Sequence, residues 1–212
     1  MKTSELIQAL AADAPQPTPS VGRRAALAIF IGGAASLALF MAAIGMRPDI
    51  RAAALTVRFQ LKFLDSFLLA LPSILLCWRL ARPDAKPRAL LAALAAPAVV
   101  LAISVVAELA LIPRDEWMKK LVGSNAMHCL TLIPLLSIPP LGALLSALRA
   151  GAPANPMLSG AMAGAASAGV AAMIYATNCT DDSPLFVASW YPLASLIVIG
   201  AGALAGRRWL QW

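Results

Sequence analysis

Residues 89–111 have the sequence ALLAALAAPAVVLAISVVAELAL, in which Glu108 is the only charged side chain. A helix needs about 20 mostly apolar residues to cross the hydrocarbon core of a bilayer, so this stretch predicts a membrane span. Every backbone polar group inside lipid needs a partner within the protein, and we therefore expect the span to be helical. Further apolar stretches of similar length occur at residues 25–46, 63–80, 130–148, 157–175 and 185–206.

The composition of the whole chain agrees with six spans. Hydrophobic residues make up 60% of the chain and charged residues 13%, and the mean hydropathy is +0.78. This profile excludes an ordinary soluble domain, and six spans leave no room for a separate one. We predict an all-α, polytopic membrane helix bundle with six transmembrane helices over residues 23–212, preceded by a short cytoplasmic head over residues 1–22.

Lys and Arg residues predict the orientation of the bundle. If the N-terminus lies inside, all four inner segments are basic, and together they hold more Lys and Arg than the outer segments. Positive residues favour the cytoplasmic side, so both termini are predicted to be cytoplasmic. The net charge of +7 then reflects membrane topology. Since no basic run carries interleaved aromatic residues, nucleic acid is not expected as a partner.

The head differs in composition from the rest of the chain. Leu6, Ile7 and Leu10 fall on one face of a short predicted helix, and a Pro-rich stretch at 15–19 follows it. A helix of this length is marginal alone in water. It either orders on a partner, frays as a tail, or lies on the membrane surface, although a surface helix usually carries more Lys and Arg.

Two cysteines stand close to the beginnings of the fourth and sixth apolar stretches. Cys129 and Cys179 would both lie on the outer, oxidising side of the membrane. They predict a reversible disulfide switch, or a site for a soft or transition metal ion with His128, Asp181 and Asp182 as auxiliary ligands. A permanent disulfide, or two unremarkable small residues, is the alternative. No cofactor is expected to be obligatory.

Several ionisable residues are expected near the outer ends of their spans. Arg58, Lys62 and Asp65 form a polar stripe on one helix face, and Glu108 lies near the end of the third span. Acids inside a membrane can act as proton relays. A local ion pair, such as Lys62 with Asp65, or an acid whose side chain extends to the membrane interface is the simpler expectation. Cys77 lies near the inner end of its span and is expected to be a small buried apolar residue.

Three longer segments carry a family resemblance. They are MKTSELIQALAAD (residues 1–13), CLTLIPLLSIPPLGALLSALRAGAPANP (129–156) and GAMAGAASAGVAAMIYATNCTDDSPLFVASWYPLA (160–194). Together they resemble the NrsF family of bacterial anti-sigma factors.

The resemblance implies a multi-pass protein of the bacterial inner membrane that holds an extracytoplasmic-function sigma factor of the SigF type inactive. It implies sigma-factor binding by the head around Leu6, Ile7 and Leu10, and sensing of heavy metals or oxidants by Cys129 and Cys179. Many relatives are expected to have His where this chain has Asn178, which removes one ligand and weakens the metal hypothesis relative to the disulfide. The implied role is regulatory, so the chain is not expected to be an enzyme.

Two rival functions remain open from the sequence. A small transporter or channel would need a polar midplane, and these spans have almost none. A membrane thiol oxidoreductase would need a second, shuttling pair of cysteines, which Cys77 alone does not supply. The sequence indicates neither the stimulus nor the oligomeric state.

Overall fold

The computed structural model describes residues 3–12, 21–81 and 88–211. All regular secondary structure in these ranges is helical, as predicted. A short 3-10 turn at Arg114–Glu116 precedes α7. The helices are α1 (Thr3–Ala12), α2 (Val21–Ala43), α3 (Ile50–Ala54), α4 (Val57–Leu80), α5 (Arg88–Ala93), α6 (Ala95–Leu111), α7 (Trp117–Val122), α8 (Ala126–Leu148), α9 (Pro156–Ala176) and α10 (Pro184–Trp209).

Six helical segments are long and apolar enough to cross a membrane, which confirms the predicted fold class. They are Gly22–Ala43, Val57–Leu80, Arg88–Leu111, Arg114–Leu148, Pro156–Ala176 and Pro184–Trp209. The second span was expected to begin at residue 63, but α4 begins at Val57. The polar side chains of its first turns, Arg58 and Lys62, have acidic partners elsewhere in the bundle, and Asp65 lies eight residues into the helix.

Local sequence signals fix where several helices begin. The side chains of Thr56 and Asn155 cap α4 and α9 by accepting the backbone N–H three residues later, at 3.3 and 2.9 Å. Gly45 and Gly123 follow α2 and α7 with φ values of +77° and +58°, a backbone conformation that favours glycine. These residues place the turns that join α2 to α4 and α6 to α8.

Close packing of α9 against α10 forms the centre of the bundle. Gly160 and Gly164 of α9 face Gly202 and Gly206 of α10, so that backbone meets backbone. A Cβ added at Gly164 would lie 2.6 Å from the carbonyl oxygen of Val198, a distance that no side chain tolerates. Small residues permit this approach between membrane helices. The two GxxxG patterns therefore pair with each other.

Prolines within α8 leave carbonyl groups without their usual helical partners. Pro140 has no N–H, so the carbonyl of Leu136, four residues earlier, loses its hydrogen bond. The Ser36 hydroxyl of α2 donates to that carbonyl at 2.6 Å. The backbone of Pro140 also packs directly on Gly32 of α2. The proline of α8 thus determines where α2 docks.

The buried apolar residues form two clusters along the bundle. One includes Cys77 and packs the ends of the helices near Leu148 and Leu210. The other includes Cys129 and Cys179 and packs the opposite ends. Cys77 is fully buried in the first cluster, as expected for a small apolar residue. We call the opposite end, where residues 44–56, 112–125 and 177–183 connect the helices, the cysteine end.

Candidate functional site

A buried ion-pair network organises the cysteine end. Asp182 accepts a hydrogen bond from Lys62 Nζ at 2.5 Å and another from Arg47 Nη1 at 2.7 Å. The Lys62 side chain has no exposed surface, and that of Arg47 is 9% exposed. Arg47 also binds both carboxylate oxygens of Asp49 at 2.7 Å. The hydrogen bonds to Asp49, together with those to Asp182, outweigh burial and raise the pKa of Arg47 above its ordinary value.

The same two cations bind the backbone of Cys179. Its carbonyl oxygen accepts from Lys62 Nζ at 3.0 Å and from Arg47 Nη1 at 3.2 Å. Charge-assisted bonds of this kind are stronger than those between neutral groups. Since Lys62 belongs to α4 and Arg47 follows α2, the position of Cys179 is fixed relative to both helices.

Asp181 attaches this loop to the beginning of α8. Its Oδ2 accepts from the backbone N–H groups of Ser124 and Asn125 at 2.9 and 2.8 Å, and from the Asn125 side chain at 2.9 Å. Burial disfavours the carboxylate, but the bonds from Asn125 and Ser124 prevail and lower the pKa of Asp181 below its ordinary value. Because Cys129 lies in the first turn of α8, Asp181 couples the surroundings of both cysteines.

Both thiols lie within one core cluster. Cys129 and Cys179 are 0% exposed and share this cluster with Phe40, Tyr175 and Tyr191. The hydroxyls of Tyr175 and Tyr191 are close enough to Cys179 to interact with it electrostatically, yet neither has a hydrogen-bond partner among the described residues. The two cysteines are free thiols in this structure.

Burial is the main influence on the pKa of Cys179, the cysteine of the 177–183 loop. It raises the pKa of the Cys179 thiol, although the nearby Lys62 ammonium opposes this shift. The Cys179 sulfur also lies 3.7 Å from the backbone carbonyl oxygen of Asp181. A thiol of raised pKa holds little of the reactive thiolate at neutral pH. Reaction at Cys179 therefore requires that the cysteine end open.

The residues suggested as auxiliary metal ligands are engaged elsewhere or point away. His128 is exposed on α8, whereas Asp181 and Asp182 accept the hydrogen bonds described above. In the described part of the chain, no three His, Cys, Asp or Glu side chains are arranged to hold a metal ion. A closed zinc site needs four protein ligands, so this donor set does not fit zinc. Two thiols alone fit a soft ion of low coordination number.

The cations of the predicted polar stripe bind two different acids. Arg58 pairs with Glu108 at 2.8 Å, and the second oxygen of Glu108 accepts from Ser183 at 3.2 Å. Lys62 binds Asp182, so the expected pairing of Lys62 with Asp65 was wrong. A partner distant in sequence replaces the neighbour three residues away because the bundle brings the acid of the 177–183 loop over α4.

The head is helical over Thr3–Ala12, and Ile7 within it is 61% exposed. The side chains of Leu6 and Leu10 lie outside the described residues, as does the Pro-rich stretch at 15–19. Their expected contact with a sigma factor stays a prediction.

Sequence reasoning missed Arg47 and Asn125 as members of the site. Arg47 was counted only as one outer charge, and nothing in its local sequence indicates a buried partner far along the chain. Asn125 immediately precedes α8, and an Asn at that position predicts a helix cap. Here its side chain binds Asp181 instead.

Comparison with known proteins agrees with the proposed resemblance. Residues 10–212 match the family model described as NrsF, negative regulator of sigma F. The probable anti-sigma-F factor NrsF of Azospira oryzae is 36% identical over 215 residues, covering 100% of both chains. The anti-sigma-F factor NrsF of Caulobacter vibrioides is 37% identical over 217 residues, again covering 100% of both. No solved structure matches the chain. A match across nearly the whole length, on a bundle with six candidate spans, shows that the chain belongs to the NrsF family of negative regulators of sigma F.

Proposed function

We propose that this chain is an inner-membrane anti-sigma factor whose cysteine end faces the periplasm. In this proposal the head holds an extracytoplasmic-function sigma factor of the SigF type inactive. Modification of Cys129 and Cys179 by an oxidant or a soft metal ion releases it. The full-length similarity to two anti-sigma-F factors supports the regulatory role, which is not catalytic. The six candidate spans support a membrane location.

The bonding of Cys179 carries the sensing part of the proposal. Its thiol lies in the same buried cluster as Cys129, and its carbonyl binds Lys62 and Arg47. Both cations also bind Asp182, at the beginning of α10. A displacement of Cys179 must therefore disturb contacts among α2, α4 and α10 together. Closely packed interiors respond to such shifts as a unit.

The disulfide version of the switch balances with a peroxide as oxidant. The two thiols lose two protons and two electrons and form one sulfur–sulfur bond, while hydrogen peroxide accepts both and leaves as two water molecules. In the metal version, each thiol releases its proton to solvent and binds the ion. Both versions begin from free thiols, and both need the cysteine end to open because the sulfurs are buried.

The proposed contact with the sigma factor lies in the N-terminal head. The exposed Ile7 offers α1 an apolar contact for a partner. Leu6 and Leu10 share its predicted face, at the spacing of a helix that docks in a groove. Burial of these side chains on the sigma factor would offset the cost of ordering a short helix.

Co-purification tests the sigma-factor contact. We would capture the detergent-solubilised full-length protein and probe for bound sigma factors, beside a version lacking residues 1–14. Capture should disappear with the head and with Ile7→Asp. The matched change Gln8→Asp, which adds the same charge at an exposed neighbouring position, should retain capture. Failure of the intact protein to capture any sigma factor would contradict the proposal.

A transcriptional reporter tests the sensing step. Replacement of both Cys129 and Cys179 by Ser should abolish the response of sigma-dependent transcription to peroxide and to cadmium. Cys77→Ser should preserve both responses because that residue lies in the other core cluster. If the double variant still responds, the switch lies outside this pair.

A further inference from the structure

A cavity of about 460 Å³ lies between α4, α6, α9 and α10. Neither cysteine lines it. Its wall is mostly aliphatic, with polar groups from Asp65, Ser66, Tyr191 and Ser195. Apolar clefts with a few converging polar groups are the usual form of small-molecule sites, and their volumes run from about 300 to 1,000 Å³.

The carboxylate in this cavity lacks a partner in the part of the chain that the structure describes. Asp65 is 7% exposed, and its Oδ1 has no hydrogen bond among the described residues. Lys62, the nearest cation in sequence, is bound to Asp182. Tyr191 lines the same wall, but its hydroxyl lies near Cys179 in the neighbouring core cluster. Unpaired acids within membrane spans are costly, and where they occur they mark functional positions.

The carboxylate of the cavity lies nearer the cysteine end, and the wall farthest from that end is aliphatic. Asp65 lies eight residues into α4 and Tyr191 seven residues into α10, which at 1.5 Å per residue is roughly 10–12 Å from the helix ends. Leu94 and Ile199 line the cavity about 22–26 Å from the ends of α6 and α10 that lie at the cysteine end. The cavity therefore has an acidic head and an apolar body.

We propose that this cavity binds a small amphiphile that carries an ammonium group on an apolar body. The ammonium would pair with Asp65, and the apolar part would lie against α6 and α10. A phospholipid with two acyl chains is too large for this volume, which favours a small lipophilic amine that partitions from the bilayer.

Equilibrium binding of radiolabelled 4-phenylbutylamine to the full-length protein in nanodiscs tests the site. Wild type should bind saturably, and the neutral 4-phenylbutanol should compete at least tenfold more weakly than unlabelled amine. Asp65→Asn, which keeps the size of the side chain and removes its charge, should weaken amine binding at least tenfold. Equal binding by wild type and Asp65→Asn, or no saturable binding to wild type, would overturn the proposal.

A pair of cavity variants and a change of lipid show whether the amine binds inside the cavity. Ala98→Phe fills the cavity from α6 and should abolish binding, whereas Ala107→Phe, exposed on the same helix but outside the cavity, should preserve it. These two variants decide the matter even if Asp65→Asn fails to fold. Binding should be the same in phosphatidylcholine nanodiscs with and without phosphatidylethanolamine. Loss of binding with phosphatidylethanolamine would assign the site to a lipid headgroup and overturn the proposal of a free amine.

Discussion

Replacement of Asp182 by Asn should destabilise the bundle more than any other single charge removal at the cysteine end. The change keeps the side-chain size but leaves Lys62, with no exposed side-chain surface, and Arg47, 9% exposed, without their shared anion. Removing one partner of a buried ion pair costs about 3–5 kcal/mol. Lys62 keeps the Cys179 carbonyl at 3.0 Å and Arg47 keeps Asp49 at 2.7 Å. The expected loss is therefore about 2–4 kcal/mol, because remaining hydrogen bonds to charged groups each recover part of the cost.

Thermal unfolding measures this loss. A thiol-reactive dye reports unfolding directly, because all three cysteines are buried in the folded protein. For a chain of this size 1 kcal/mol corresponds to about 2–4 °C, so Tm should fall by about 4–16 °C. Alkylation of Cys179 should also accelerate, since a less stable bundle opens more often and exposes the buried thiol.

Asp49→Asn is the matched control. Asp49 binds Arg47 as well, but its side chain is 56% exposed, and pairs that reach water contribute little. A Tm for Asp182→Asn no lower than that for Asp49→Asn would refute the argument that burial makes this network important.

Two further predictions concern hydrogen bonds rather than ion pairs. Ser36→Ala should destabilise the bundle by about 0.6–2 kcal/mol, because a carbonyl freed by a proline of α8 loses its donor inside the membrane. Ser146→Ala, which removes an exposed hydroxyl bonded within its own helix, should leave Tm unchanged. An equal fall in Tm for Ser36→Ala and Ser146→Ala would contradict this explanation. The contribution of Asp181 to the stability of the bundle should be lost at acid pH. Its pKa is lowered by folding, so its contribution is complete above the unfolded value of about 3.9 and is lost as pH falls through the folded pKa. The Tm gap between wild type and Asp181→Asn should therefore be constant from pH 7 to 5 and close below pH 4; a gap that narrows already between pH 7 and 5 would contradict this assignment.

The number and type of the spans were predictable because they depend on apolar length alone. A run of about 20 apolar residues must become a helix in lipid whatever its neighbours are. The pairing of Gly160 with Gly202 was only weakly indicated, since small-residue patterns are common in spans and do not name their partner. The docking of α2 on α8 was not predicted at all, because the carbonyl freed by Pro140 finds Ser36 only after the helices have assembled.

In the candidate site, too, the sequence predicted features that depend on position along the chain and missed those that depend on tertiary contacts. Cys129 and Cys179 stood out because each lies beside the predicted beginning of a span, and the structure places both in one cluster. Lys62 and Asp65 stood out as neighbours on one helix face, yet the structure separates them. A pair three residues apart on a helix gains only about 0.2–0.5 kcal/mol. A buried cation bound to a distant acid avoids a far larger desolvation cost, so the tertiary partner prevails.

In the proposed function, α2 is the element that would carry a change at the cysteines to the head. It begins at Val21, where the head predicted over residues 1–22 ends, and its other end leads into Arg47. Arg47 binds the Cys179 carbonyl and Asp182, and the backbone N–H of Arg47 donates to Thr177 at 3.0 Å. No other helix combines covalent continuity with the head and a charged bond to a cysteine of the proposed pair in the described part of the chain. In the proposed function, a shift of Cys179 would reach the end of α2 through its bond to Arg47.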